Sequence, residues 1–216
     1  MKKLSAVAVR IVGCLIEKEL ATPDYYPLTL NALVNACNQK SNREPVMTLS
    51  EEQVLEGLEE LRREQLIYRS AEGVRSARYC HHLAARYHLE QEELAVLAVL
   101  LLRGPQTIGE IRGRTERMYD FADLDQVEAV IKGMSDADPA LVVRLPRLAG
   151  RKEHRFADLL RDAAGPDIAE EDPGSAIAPS VPHDGRLAAL EQEVAALREE
   201  LGTLTERFER FRTQFE

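Results

Sequence analysis

Residues 50–69, SEEQVLEGLEELRREQLIYR, and residues 123–144, DLDQVEAVIKGMSDADPALVVR, carry one pattern twice. In the first, Ser50 and Gln53 form a capping box, and Val54, Leu58 and Leu61 follow at helical spacing. In the second, an Asp123 cap with Gln126 three residues on precedes Val127, Ile131 and Met134, which repeat the same steps of four and three. Each helix then runs into a short β-rich stretch, Leu66-Ile67-Tyr68-Arg69 and Leu141-Val142-Val143-Arg144. Turn-rich segments lead on to Arg78-Tyr79 and Arg155-Phe156, which predicts a returning strand in each copy.

The repeat extends upstream. Thr29 caps a helix carrying Leu30, Leu33 and Val34, and Thr107-Ile108-Gly109-Glu110 is a capping box opening a helix with Ile108 and Ile111. Before these lie expected helices at about 5–20 and about 90–103, the second closed by Gly104-Pro105. Each copy reads helix, helix, helix, strand, loop, strand, the order of a winged helix-turn-helix whose third helix is the recognition helix and whose strand-to-strand loop is the wing. The expected fold is mainly α with small β-wings: tandem winged-helix domains at 1–83 and 84–160.

Residues 161–185 are punctuated by Gly165-Pro166, Asp172-Pro173-Gly174, Pro179 and Pro182 and read as a flexible linker. In 186–216, Leu187, Leu190, Val194, Leu197, Leu201, Leu204, Phe208, Phe211 and Phe215 alternate steps of three and four. That narrow seam predicts a C-terminal coiled-coil helix and a homo-oligomer. A single amphipathic helix folded back on the modules is the other reading.

Composition bounds the rest. With 44% hydrophobic and 30% charged residues, the chain has the make-up of a globular protein. The net charge of −9 is uneven: residues 1–83 balance, 84–160 carry −2 and 161–216 carry −7. The apolar run Leu94–Leu102 is far shorter than the roughly 20 residues that span a bilayer. Arg10 and Glu17-Lys18-Glu19 interrupt any leader-like stretch, so a cytoplasmic location without membrane contact is expected. Cys14, Cys37 and Cys80, odd in number and irregular in spacing, suit neither a disulfide framework nor a zinc site and read as small core residues. Cys80-His81-His82 would point to opposite faces of a strand, which argues against a shared metal.

No chemistry-bearing motif emerges. The 12 glycines form no phosphate-binding loop, there is no H-E-x-x-H, C-x-x-C or G-x-S-x-G, and no two histidines stand at i, i+4. The expectation is a protein that is not an enzyme and holds no cofactor and no metal.

The polar residues suggest nucleic acid, against an opposing signal. Asn31, Asn35, Asn38 and Asn42 recur at steps of 4, 3 and 4, with Gln39, Lys40 and Arg43 beside them. An amide row of this kind can read adenine in a major groove, or can end the helix and bond to local backbone. The second wing carries Arg144, Arg147, Arg151, Lys152 and Arg155 against Glu153; the first has Arg69, Arg75 and Arg78 against Glu72. The candidate contacts to double-stranded DNA are therefore Asn31, Asn35, Asn42, Arg43, Arg144, Arg147, Arg151, Lys152 and Arg155. Against them, the third helices open on Glu51-Glu52 and on Asp123 and Asp125, where a recognition helix would meet the bases.

Several long runs carry a family likeness: Val9-Arg10-Ile11-Val12-Gly13-Cys14-Leu15-Ile16-Glu17-Lys18-Glu19, Pro23-Asp24-Tyr25-Tyr26-Pro27-Leu28-Thr29-Leu30-Asn31-Ala32-Leu33, and Cys37-Asn38-Gln39-Lys40-Ser41-Asn42-Arg43. Leu102-Arg103-Gly104-Pro105-Gln106-Thr107 and Gly150-Arg151-Lys152-Glu153 extend it. Over residues 9–160 the chain resembles the YceH-like family of bacterial proteins. The resemblance implies two winged-helix domains and supplies no activity, so function rests on sites. Two readings stand: a DNA-associated protein acting in transcriptional regulation, and an architectural protein–protein interaction module without direct DNA binding.

Overall fold

Gln53 N–H donates to Ser50 Oγ at 3.2 Å and Ser50 N–H donates to Gln53 Oε1 at 2.9 Å, so helix α3 (Glu51–Arg63) starts at its capping box. In the computed structural model, which describes residues 2–70, 77–147 and 153–162, the other starts also follow local sequence. Ser5 caps α1 (Ala6–Ala21), Thr29 caps α2 (Leu30–Cys37) and Thr107 with Glu110 boxes α6 (Ile108–Thr115). Helix α5 (Gln91–Arg103) ends at Gly104, whose φ of 71° lies in the left-handed region glycine tolerates. Asp123 caps α7 (Leu124–Asp136) by accepting from Gln126 N–H, but the Gln126 side-chain carbonyl reaches back one residue further, to Ala122 N–H. A short helix that periodicity does not announce, α4 (Leu83–Tyr87), joins the two halves.

The strands form two small antiparallel sheets. In the first half β1 (Leu28–Thr29), β2 (Ile67–Ser70) and β3 (Arg78–His81) adopt the order β1-β3-β2, with Tyr68 opposite Cys80. In the second half β4 (Val142–Arg144) pairs β5 (Phe156–Asp158), with Arg144 opposite Phe156. Gln106 and Phe156 exchange two backbone hydrogen bonds of 3.0 and 2.8 Å. That bridge precedes α6 just as β1 precedes α2. The described residues are thus mainly helical, with seven α-helices and wing-like strand pairs.

Helices α1 and α5, one from each half, pack on each other at the centre. Every residue from Leu94 to Leu102 is buried, so the apolar run is a helix enclosed on all sides by protein. No helix among the described residues is long and apolar enough to cross a membrane. A single cluster of apolar side chains runs through both halves, and Ile11, Leu15, Leu33, Leu58, Leu61, Leu97, Leu101, Ile111, Val127 and Ile131 all lie in it. Each such side chain contributes about 1.5–3 kcal/mol by leaving water. The chain start is tied in as well: Leu4 N–H donates to Leu160 O at 2.8 Å, and Asp162 N–H donates to Leu4 O at 3.0 Å.

Residues 163–216 lie outside the described residues, and with them nearly all of the expected linker and the whole heptad seam from Leu187 to Phe215.

Candidate interaction surfaces

The asparagine row divides as the chain turns out of α2. Asn31 and Asn35 are exposed along the helix, one turn apart. Asn38 is its C-cap, and its side chain clamps residue 49 from both sides: Leu49 N–H donates to Oδ1 at 2.7 Å, and Nδ2 donates to Leu49 O at 2.8 Å. Asn42 sits in the left-handed region at φ 59°, which Asn tolerates, and its Oδ1 accepts from Arg103 of α5. Asn42, expected to face nucleic acid, is exposed, and its side chain also ties a turn to the central helix.

Arg43 is corrected more sharply. It is buried, and its Nη1 and Nη2 donate to Glu17 Oε1 and Oε2 of α1 at 3.1 and 2.5 Å. Nη2 also donates to Gln39 Oε1 at 2.9 Å, and Nε to Ala36 O at 3.1 Å. Its partner in this role is Arg10, also buried, which donates to Cys37 O at 3.0 Å and to Pro45 O at 2.5 Å. The last carbonyls of a helix have no intrahelical donor, and two buried guanidiniums fill that gap at the end of α2. The spacing of Arg10 and Glu17, two turns apart in an apolar helix, is the sequence signal for this cluster.

The arginines of the expected second wing separate likewise. Arg144 is exposed and has no hydrogen bond or ion pair among the described residues. Arg147 is exposed and donates through Nε to His154 Nε2 at 2.7 Å. Arg155 turns inward, donating to Pro105 O at 2.6 Å and to Glu110 Oε1 at 3.3 Å, so it braces the start of α6 rather than facing solvent as expected. Arg151 and Lys152 lie outside the described residues.

What remains on the outer faces of the third helices is acidic. On α3 the exposed residues are Glu51, Glu52, Gln53, Leu55, Glu56, Glu59, Arg62 and Arg63, and Arg62 is paired to Glu59 at 2.8 Å. On α7 Asp125, Glu128, Lys132 and Asp136 are exposed. Each face holds a leucine off the buried stripe, Leu55 at 39% and Leu124 at 48% exposure, and Val46, before α3, is 55% exposed. Leu55 is legible in the sequence, since it falls outside the Val54, Leu58, Leu61 spacing. Carboxylates in a first turn suit the helix dipole but oppose phosphates.

Two further polar contacts serve the fold. Tyr26 OH accepts from His81 N–H at 2.8 Å, so this phenol is satisfied by the backbone of β3. His81 pairs with Glu19, and among the described residues no group of three or more His, Cys, Asp or Glu is placed to hold a metal.

Residues 4–151 match the DUF480 family, a family described as proteins of unknown function. The chain belongs to the DUF480 family. Its relatives there include the UPF0502 protein of Geobacter sulfurreducens, 52% identical over 217 residues that cover 99% of this chain and 98% of the relative. The UPF0502 protein of Geobacter metallireducens is 52% identical with the same coverage. That of Herminiimonas arsenicoxydans is 47% identical over 214 residues, covering 97% of this chain and 89% of the relative. Membership of DUF480 agrees with the YceH-like resemblance and leaves function to the surfaces described above.

Proposed function

We propose that the chain is a tandem winged-helix module, without enzymatic activity, that holds a protein partner on the acidic outer faces of α3 and α7. The order α1-β1-α2-α3-β2-β3 with β3 central supports the winged-helix reading, as does the Gln106–Phe156 bridge standing where the second copy needs its first strand. The observation that carries the functional reading is the charge on the third helices: Glu51, Glu52, Glu56 and Glu59 on one, Asp125, Glu128 and Asp136 on the other. A duplex docked there would meet carboxylates, whereas a basic segment presenting apolar side chains to Leu55 and Leu124 would be steered and bound. Arg43 is buried against Glu17 and supplies nothing to base reading.

Direct DNA association in transcriptional regulation keeps as support the exposed Arg144 and Arg147 on the second expected wing and the exposed Asn31 and Asn35 on α2. Self-association through the heptad seam of residues 186–216 is part of either reading. Recovery of partners from cell extract with and without nuclease separates the two. A nuclease-resistant partner, together with no duplex binding at low salt, supports the protein reading. Duplex binding that weakens steeply with salt overturns it.

A further inference from the structure

Strand β2 lies at an edge of its sheet, since β3 stands between it and β1. The phase of its ladder is fixed at two points. His82 N–H donates to Leu66 O at 2.8 Å, which makes these two residues a hydrogen-bonded pair. By alternation along the register, Tyr68 with Cys80 and Ser70 with Arg78 are hydrogen-bonded pairs as well. His81 N–H, between them, points the other way, to Tyr26 OH at 2.8 Å. Ile67 and Arg69 therefore turn their backbone N–H and C=O groups away from β3, and among the described residues nothing hydrogen-bonds them on that side.

An edge is closed to further strands when it is very short, bulged or covered. Strand β2 keeps four residues in unbroken register with β3, from Ile67 opposite His81 to Ser70 opposite Arg78. Tyr68 is 50% exposed, and its ring lies 4.3 Å, centroid to centroid, from that of His82, so the edge carries an aromatic shelf. Arg69 is exposed, with no hydrogen bond or ion pair among the described residues, and neither β2 nor β3 contains a carboxylate. A lone positive charge on an open edge disfavours basic strands and admits acidic ones. The second half repeats the arrangement. Leu145 N–H to Arg155 O and Leu159 N–H to Leu141 O, both 2.8 Å, turn the backbone of Val142 and of the exposed Arg144 outward from β4. There Val143 stands where the first half has Tyr68, so the shelf belongs to β2.

We propose that the edge of β2 takes an extended acidic peptide segment as an added strand. The segment lies about 4.8 Å from β2 and exchanges backbone hydrogen bonds with Ile67 and Arg69. One of its side chains rests on Tyr68 and His82, and a carboxylate meets the Arg69 guanidinium. Backbone bonds supply the affinity; the shelf and the arginine supply the selectivity. This edge is not part of the acidic faces of α3 and α7, so the proposal is independent of the partner reading.

The test titrates the full-length chain at low salt, up to millimolar concentration, with a short synthetic peptide in which glutamate alternates with valine, and follows hydrogen exchange of each backbone amide by nuclear magnetic resonance. Protection is expected to rise at the outward N–H groups of Ile67 and Arg69 and to stay level at Tyr68 and Ser70, which already bond to β3. The same peptide N-methylated at every amide keeps its charge and loses its donors, and it is expected to bind at least about tenfold more weakly. Arg69→Glu is expected to weaken binding of the unmodified peptide about tenfold, and Arg69→Lys to retain it. Equal binding of the two peptides, or no added protection at Ile67 and Arg69, would overturn the proposal. So would a random DNA duplex that binds through Arg69 while the peptide does not, which would make the edge arginine a phosphate contact. The exchange measurement uses the unaltered chain, so it does not depend on how the variants fold.

Discussion

A β-carbon built on Gly13 would stand 2.9 Å from both Cγ and Cδ2 of Leu102, so the two central helices cross where α1 has no side chain. Gly13→Val is expected to cost at least about 1–3 kcal/mol by overpacking. At Gly109 in α6 a β-carbon would meet nothing within 4 Å, and Gly109→Ala is expected to stabilise by roughly 0.5–1 kcal/mol through helix propensity. Urea titrations of the two variants check both signs. Equal effects would mean that the α1–α5 crossing is not tightly packed.

The Glu17–Arg43 pair is expected to behave as a buried one. With Arg43 fully enclosed and Glu17 14% exposed at the side chain, Glu17→Gln strips the guanidinium of its counter-charge, at a cost of about 3–5 kcal/mol. Removing the exposed Arg62–Glu59 pair on α3 is expected to change stability by less than about 1 kcal/mol. Denaturant midpoints of Glu17→Gln and Arg62→Ala compare the two. A small effect at Glu17 would count against the structural role given to Arg43.

Glu110 links stability to pH. Burial pushes its carboxyl up, but the Thr107 N–H hydrogen bond and the charges of Arg155 and Arg114 outweigh that and leave it below the usual carboxylate range. Because the folded pKa is depressed, its contribution is fully present above the unfolded value of about 4.3 and is lost as pH falls through the folded pKa. Glu110→Gln is expected to cost roughly 0.5–1 kcal/mol at neutral pH, after allowance for solvent screening. The difference from the unaltered chain should vanish under strongly acidic conditions. Thermal melts across that range test it, and a difference that persists in acid would refute it.

Charge reversal separates the surfaces. Glu52→Lys with Glu56→Lys is expected to abolish recovery of a protein partner while leaving the fold intact, since both side chains are exposed. Arg144→Glu with Arg147→Glu is expected to leave that recovery unchanged. If the second pair removes binding and the first does not, the wing and not α3 is the contact surface. Fluorescence anisotropy against random duplexes at several salt concentrations gives the matching DNA measurement, where each phosphate neutralised adds about −0.9 to the log-log salt slope.

For the tail, nine large apolar residues at heptad spacing predict that the full chain is an oligomer. Light scattering on the chain with and without residues 184–216 is expected to give a multiple of the monomer mass only for the full chain. Equal monomer masses would end this expectation.

Local starts and apolar faces were legible because their causes are local. Ser50, Thr107 and Asp123 announce their helices through hydrogen bonds within three residues, and spacing alone placed Val54, Leu58, Leu61, Val127, Ile131 and Met134 in the core. What the outward polar residues do was not legible, because a polar side chain has no preferred destination until long-range neighbours are fixed. Arg43 became an internal brace only because α1 brought Glu17 to it, and Arg155 turned inward only because α6 placed Glu110 and the Pro105 carbonyl within reach. The sequence by itself therefore determined where α3, α6 and α7 start and which of their residues are buried, but not α4 or β1. Tertiary structure alone decided that α1 and α5 form a shared centre, and which charges remain on the surface. Packing and ion pairing act between residues far apart in the chain, and desolvation is decided only when those residues meet.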